Sequence, residues 1–275
     1  MTSSLQAITP LEELKAKQHQ IWNNGDYSKI AWITVPLAEQ LCNGVALRPG
    51  STVLDVACGT GHVAIQAART FCDVTGIDYV EKLVETARRR AAAEGLTIAF
   101  EVADAETLPF ADSTFDFVVS AIGVMFTADH DRAAGELVRV CRPGGTIGLA
   151  NWTAEGFIGR LLKIVGAHVP PPPVALPPTR WGNEDVVREL LGDAVTDVSS
   201  RTHLVTERFR SPEAFADFML TYYGPTYTAA QRLDAQRRAT FRDDIVALAN
   251  DTNRATDGTF VTDWEYRVIS GTKTT

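Results

Sequence analysis

The sequence predicts an α/β fold built on a doubly wound, largely parallel sheet. Three observations carry that expectation. Between Val53 and Trp152, five strand-like segments are separated by helix-like ones. The first, Val53 to Ala57, is an apolar run that breaks into a small-residue turn holding Gly59 and Gly61, and a helical pattern follows. The chain has 275 residues, 45% of them hydrophobic and 22% charged, which is ordinary globular composition and enough for one large domain or two small ones. Strands joined by helical crossovers form a parallel sheet, and the right-handedness of the crossovers puts helices on both faces.

In chain order, residues 11 to 42 read as helical. Leu11, Leu14, Ile21 and Trp22, then Ile30, Ile33, Leu37 and Leu41, recur at three- and four-residue steps. Asn23-Asn24-Gly25-Asp26 divides this stretch into two helices. The turn Arg48-Pro49-Gly50-Ser51 leads into the first strand. Helical Val63 to Thr70 precedes a strand from Asp73 to Asp78, and helical Val80 to Glu94 ends at Gly95, a natural capping position. The third strand spans Thr97 to Ala103 and the fourth Phe115 to Ser120. A helix from Asp131 to Cys141 stops at Arg142-Pro143-Gly144-Gly145, and Thr146 to Trp152 is the fifth strand.

Beyond Trp152 the alternation loosens. Pro170 to Pro173, with Pro177-Pro178, reads as a stiff extended connection. Glu184 to Leu191 is helical and Thr196 to Phe209 is a long strand. Ser211 caps a helix that has Pro212 in its first turn. Residues 229 to 250 form a further amphipathic helix, and Trp264, Tyr266 and Val268 alternate in a closing strand between Phe260 and Gly271.

Composition removes several function classes. A net charge of -8 argues against a nucleic-acid backbone as the main partner. The cluster Arg88-Arg89-Arg90 lies among Glu85 and Glu94 and reads as a solvated helix face. Cys42, Cys58, Cys72 and Cys141 form no CxxC and no zinc-ligand spacing, so reduced thiols and no metal are expected. The N-terminus lacks an apolar signal core and no run is long enough to span a bilayer; a soluble, cytoplasmic protein without membrane partners is expected.

Ligands of such sheets lie beyond the carboxyl ends of the strands, and the turn after strand one is the usual place. Gly59-x-Gly61-x-x-Ala64 satisfies the dinucleotide pattern, with Asp78 about twenty residues on. That match alone admits NAD, FAD or S-adenosylmethionine, and with it an NAD-type oxidoreductase. The neighbouring charges discriminate. Asp55, Asp78 and Asp104 fall at or just past the ends of strands one, two and three and are expected to face one crevice. A pyrophosphate brings about two negative charges, and like charges in a poorly solvated cleft cost several kcal/mol. S-adenosylmethionine brings a sulfonium and an ammonium instead. Asp also commonly ends strands and caps helices, which would account for one of the three more easily than for the set.

These residues carry a resemblance. The chain resembles the class I S-adenosylmethionine-dependent methyltransferases, within the subgroup that includes quinone-biosynthesis and small-molecule enzymes. The family's acid-x-Gly-x-Gly-x-Gly motif appears as Asp55 to Gly61, with Ala57 in place of the first glycine. The resemblance assigns Asp78 to the ribose hydroxyls, with Tyr79 beside it. It assigns Asp104-Ala105-Glu106 to the adenine side and the backbone near Ser120 and Ala121 to the methionine moiety. Glu136 to Gly145 matches the helix and turn before strand five. Together the motifs span roughly residues 46 to 152. The resemblance implies a Rossmann-like seven-stranded sheet whose last strand, Val261 to Ser270, is antiparallel. It also implies an N-terminal helical segment, 1–45, covering the cofactor site of a methyltransferase domain at 46–275. A helical cap after strand five would have elements within 153–195 and 211–258. Because the family's N-terminal segment often folds over the methionine end, Trp22 is expected to touch the cofactor.

The implied reaction is methyl transfer to a small-molecule acceptor by in-line displacement. Positioning behind the methyl group suffices for this, so no residue is assigned as a base; a non-catalytic cofactor binder is the remaining alternative. Aromatic residues supply the expected acceptor wall: Trp22, Tyr27 and Trp32 from the N-terminal helices, Phe126 after strand four, and Trp152, Trp181, Tyr222 and Tyr223 beyond strand five. Core packing is the competing reading for each. His130 follows strand four closely enough to join the acceptor contacts, unless it simply begins the next helix.

Overall fold

Two helices precede the sheet, divided where the Asn-Asn-Gly-Asp break predicts. Helix α1 (Pro10–Asn24) is opened by a capping box in which Thr9 and Glu12 bond each other's backbone, and Pro10 sits in its first turn. Helix α2 (Tyr27–Gly44) is capped by the Asp26 carboxylate, which accepts from Ser28 N–H. The computed structural model describes residues 8–274, apart from the side chain of Ala31. Residues 1–7 of the expected N-terminal unit, 1–45, lie outside the described residues.

From Thr52 onward the alternation follows the sequence to within a few residues. The elements are β1 (Thr52–Val56), α3 (His62–Arg69), β2 (Asp73–Asp78), α4 (Glu81–Ala93), β3 (Ala99–Val102), β4 (Phe115–Ala121), α5 (His130–Val140) and β5 (Cys141–Trp152). Beyond Trp152 come α6 (Phe157–His168), α7 (Glu184–Leu191), β6 (Val195–Phe209), α8 (Pro212–Tyr222), α9 (Gly224–Gln231), α10 (Ala235–Thr252) and β7 (Phe260–Lys273). Two of these depart from expectation. Helix α6 has no sequence counterpart, and the helix expected over 229–250 is two helices, broken at Arg232 to Asp234.

The seven strands form one sheet in the order β3-β2-β1-β4-β5-β7-β6. The pairings β3–β2–β1–β4–β5 are parallel, while β7 runs antiparallel to both β5 and β6. The order reverses at β1 and β4, so their carboxyl ends bound the crevice where ligands of such sheets bind. Buried strands account for the continuous apolar runs: Val53, Leu54, Val118, Val119 and Leu149 are solvent-free. Helix α7 packs against α5 and β6, whereas α6, α8, α9 and α10 pack on one another, and α9 also meets α1. The two groups that frame the crevice from above are therefore α1–α2 and this four-helix cluster.

Candidate functional site

One cavity runs along the carboxyl ends of the strands, under α1 and α2. Its floor is the turn after β1. Ala57, Gly59 and Gly61 adopt left-handed backbone conformations, φ 53°, 54° and 81°, which bend the chain sharply from strand into helix. A Cβ on Gly59 would meet no atom within 4 Å, so the missing side chain leaves open space in the cavity wall for a ligand to come close to the backbone. Cys58 N–H bonds Ile77 C=O at 2.8 Å and Gly61 N–H bonds Cys58 C=O at 2.8 Å, fixing the turn against β2.

The three aspartates have separate geometries. Asp78 lines the cavity, and its carboxylate accepts from Gly59 N–H and Val80 N–H, both at 2.9 Å. Burial outweighs those two hydrogen bonds and pushes its carboxyl up to about 6. Asp104 also lines the cavity and accepts from Glu106 N–H at 2.9 Å. Asp55 departs from the expected orientation. Its carboxylate lies beneath the turn, accepting from Ala64 N–H at 2.9 Å in the first turn of α3, and it does not border the cavity. With 1% of its surface exposed, it is pushed up by burial to about 8, with Ala64 opposing the shift and the Asp78 charge adding to it.

Helix α1 closes this end with a group the sequence reading did not single out. Lys15 Nζ reaches Asp104 Oδ2 at 2.6 Å and Glu106 Oε2 at 2.5 Å. On the same helix face, His19 Nε2 lies 3.2 Å from Tyr79 C=O and its ring meets the Tyr79 ring edge-on at 5.1 Å. Trp22, one turn further on, packs on Phe126 at 4.6 Å and on Tyr27 at 5.8 Å. Lys15, Gln18, His19 and Trp22 recur at three- and four-residue spacing, a mixed polar and aromatic stripe that marks one helix face. Glu106 is held from its other side by Ala128 N–H at 2.7 Å and Asp129 N–H at 3.1 Å.

The remaining expected residues divide. Trp22, Ala57, Gly59, Asp78, Tyr79, Asp104, Ala105, Glu106, Ala121, Phe126, Trp152 and Tyr223 all line the cavity. Gly61 and Ser120 support it from behind: Ser120 Oγ donates to Val56 C=O at 2.7 Å and accepts from Val124 N–H at 3.1 Å, tying the ends of β1 and β4 together. Four of the acceptor-side expectations do not border the cavity. His130 is the first residue of α5, buried against Trp181 at 5.8 Å, and burial, helped by Arg180, pushes its imidazole down to about 4. Trp181 is itself fully buried. Tyr222 turns its ring onto Phe218 at 5.1 Å, and Trp32 is 50% exposed. Residues not anticipated complete the walls, among them Ile33, Ile158, Met219 and Trp264.

Known proteins share the fold and the stretch of sequence that carries the turn. Residues 53–145 match a methyltransferase domain, the stretch that carries the turn and the acids. That match, together with the seven-stranded sheet, identifies a methyltransferase domain of the class I S-adenosylmethionine-dependent type within the chain. The chain is 41% identical over 273 residues to an uncharacterised protein of Mycobacterium tuberculosis, covering 96% of this chain and 98% of that one. It is 37% identical over 123 residues to a demethylmenaquinone methyltransferase of Deinococcus radiodurans, covering 43% of this chain and 51% of the relative. The fold is shared with a Haemonchus contortus phosphoethanolamine N-methyltransferase solved with S-adenosylhomocysteine, at TM-score 0.57 and 15% identity over 100% of this chain and 62% of the other.

The cofactor of this methyltransferase is S-adenosylmethionine. The cavity suits it: the open space at Gly59 admits a ligand against the backbone, and the carboxylates of Asp78, Asp104 and Glu106 favour a cation over a pyrophosphate. Among the described residues no cluster of His, Cys, Asp and Glu has metal-binding geometry. No helix there is long and apolar enough to cross a membrane. All four cysteines are free and buried.

Proposed function

We propose that this methyltransferase acts on a small-molecule acceptor by in-line displacement, in the cytoplasm. The observation that carries the reading is the division of a single cavity. One half holds the glycine turn, Asp78, Asp104 and Glu106; the other is walled by Ile30, Ile33, Trp152, Ile158, Met219, Tyr223 and Trp264. The first half fits the cofactor and the second fits a small, largely apolar molecule.

Bound S-adenosylmethionine would supply an electrophilic methyl on a sulfonium, which leaves as a neutral thioether. In this reading Asp78 holds the ribose hydroxyls, Tyr79 and Ala105 flank the base, and the backbone at Gly59 and Ala121 supports the methionine part. Ser120 and Asp55 act one step back: the former joins β1 to β4 and the latter anchors the turn to α3. Residues 1–45 serve as a cover and the helices after β5 as a cap, so that the two halves meet in a site closed to water. Such closure favours displacement by the acceptor over reaction with solvent.

The test is transfer of tritium from methyl-labelled S-adenosylmethionine into a broad small-molecule extract. Labelled products should appear with wild-type protein and fall sharply with Asp78→Ala when the cofactor is held near the concentration that half-saturates the wild type. Cofactor binding without labelling of any component would favour a non-catalytic binder.

A further inference from the structure

Charge is not spread evenly through the cavity. Every Asp, Glu, Lys and His side chain that lines it (Lys15, His62, Asp78, Asp104 and Glu106) comes from α1, the start of α3, the end of β2 or the turn after β3. The far half, walled by Ile30, Ile33, Trp152, Ile158, Met219 and Trp264, contains none. Buried titratable groups exist near its walls but do not open into it. Glu207 lies on β6 opposite Thr262, and His130 lies beneath Trp181. A charged acceptor would lose its hydration there without gaining a counter-charge, which costs several kcal/mol or more.

The far half does contain a phenol suited to a ligand. Tyr223 sits at the junction of α8 and α9 with 7% of its surface exposed, and it lines the cavity. Its neighbour Tyr27 has a hydroxyl engaged by Gly224 N–H at 3.2 Å. The Tyr223 hydroxyl has no hydrogen-bond partner among the described residues, and burial alone pushes its phenol up. A phenol so buried stays protonated at neutral pH; it is a hydrogen-bonding group and not a base. Buried polar groups of folded proteins are normally paired, so one left open on a ligand cavity marks the place where the ligand bonds.

Resting on the function proposed above, we infer that the acceptor is an uncharged, largely apolar hydroxyl compound whose hydroxyl is oriented by Tyr223. A hydroxyl matches this phenol in both directions, since each can donate to the other and accept from it. In the transfer, a lone pair of the acceptor oxygen forms the new C–O bond. The S–C bond breaks with its electron pair going to sulfur, and the proton left on the methylated oxygen, now strongly acidic, passes to solvent when the site opens to release product. Tyr223 is a positioning residue that aims the lone pair along the line of displacement.

The experiment is calorimetric binding to full-length protein saturated with S-adenosylhomocysteine, using 2-naphthol, 2-naphthoate and 2-naphthylmethylammonium as probes. Naphthol should bind at least about tenfold more tightly than either charged analogue, by the desolvation argument. Tyr223→Phe should weaken naphthol binding about tenfold, as loss of one hydrogen bond to a buried group predicts, and leave S-adenosylhomocysteine affinity unchanged. Tighter or equal binding of a charged probe, undetectable naphthol binding, or an unaltered naphthol affinity in Tyr223→Phe would each overturn the inference. Failure of wild-type protein to bind S-adenosylhomocysteine would show instead that the functional reading beneath it is wrong.

Discussion

Asp78 joins strand and turn through one carboxylate, and in the proposed function it holds the ligand as well. It holds the backbone N–H groups of Gly59 and Val80 while still facing the cavity, so each oxygen keeps a lone pair for a ribose hydroxyl. Removing the carboxylate in Asp78→Ala is expected to weaken S-adenosylmethionine binding roughly ten- to a hundredfold, the range for losing hydrogen bonds to a charged group. The far-ultraviolet circular dichroism should be unchanged, and unaltered affinity would take Asp78 out of the ribose role. Asp55 behaves differently because it is hidden. Burial raises its carboxyl to about 8 from an ordinary 3.8, so the folded chain binds that proton more tightly than the unfolded one. Its contribution to stability is full below about pH 4 and is lost as pH rises through about 8. Cofactor-free protein should therefore have a lower unfolding midpoint at pH 8 than at pH 5. Asp55→Asn, which keeps an acceptor for Ala64 N–H without the titration, should reduce that difference; an equal pH dependence in both proteins would contradict the assignment.

Among the elements, α1 governs the cofactor end. Lys15 is the only side chain of α1 that forms an ion pair among the described residues, and it reaches two carboxylates at once from opposite the β3 end. The Lys15 side chain is 28% and that of Asp104 34% exposed, so this pair is worth no more than about 1 kcal/mol after solvent screening, whereas Glu106 is buried and its pair with Lys15 is screened less. Lys15→Met should accelerate release of S-adenosylhomocysteine, by roughly two- to tenfold in stopped-flow displacement. The difference from wild type should shrink in about 0.5 M salt, where screening shortens the range of the charge. An unchanged release rate would mean that α1 opens without breaking these pairs. Legibility also varied by element. Strands β1, β2 and β4 were readable because their apolar runs end in turn residues, and α8 because Ser211 and Pro212 mark its start. Helix α6 was not readable: Gly156 caps it without a side-chain bond, and Phe157, Ile158, Leu161, Ile164 and Val165 leave little polar face to set a period. Helix α9 begins Gly224-Pro225 and is rich in Thr and Ala, a composition that reads as a loop until tertiary contacts with α1 and α6 hold it.

At the scale of the molecule, strand order and charge distribution act together. The reversal of order between β1 and β4 opens the crevice, the antiparallel β7 extends the sheet, and α2, α6 and α8 together with β5 and β7 supply the uncharged walls. The cofactor half was legible in the sequence because its residues are local: a turn and two acids at successive strand ends. The acceptor half was not. Ile33, Ile158, Met219 and Trp264 come from α2, α6, α8 and β7, and nothing in their spacing says that they meet. Trp181 and His130 show the converse, since residues chemically suited to a site were used to fill the core. The central claim is that the acidic glycine-turn cavity holds a sulfonium nucleotide and not a pyrophosphate. Parallel calorimetric titration of wild-type protein with S-adenosylmethionine and with NADH tests it most directly. Single-site binding of S-adenosylmethionine with no heat from NADH is the predicted result; binding of NADH with none of S-adenosylmethionine would contradict the account.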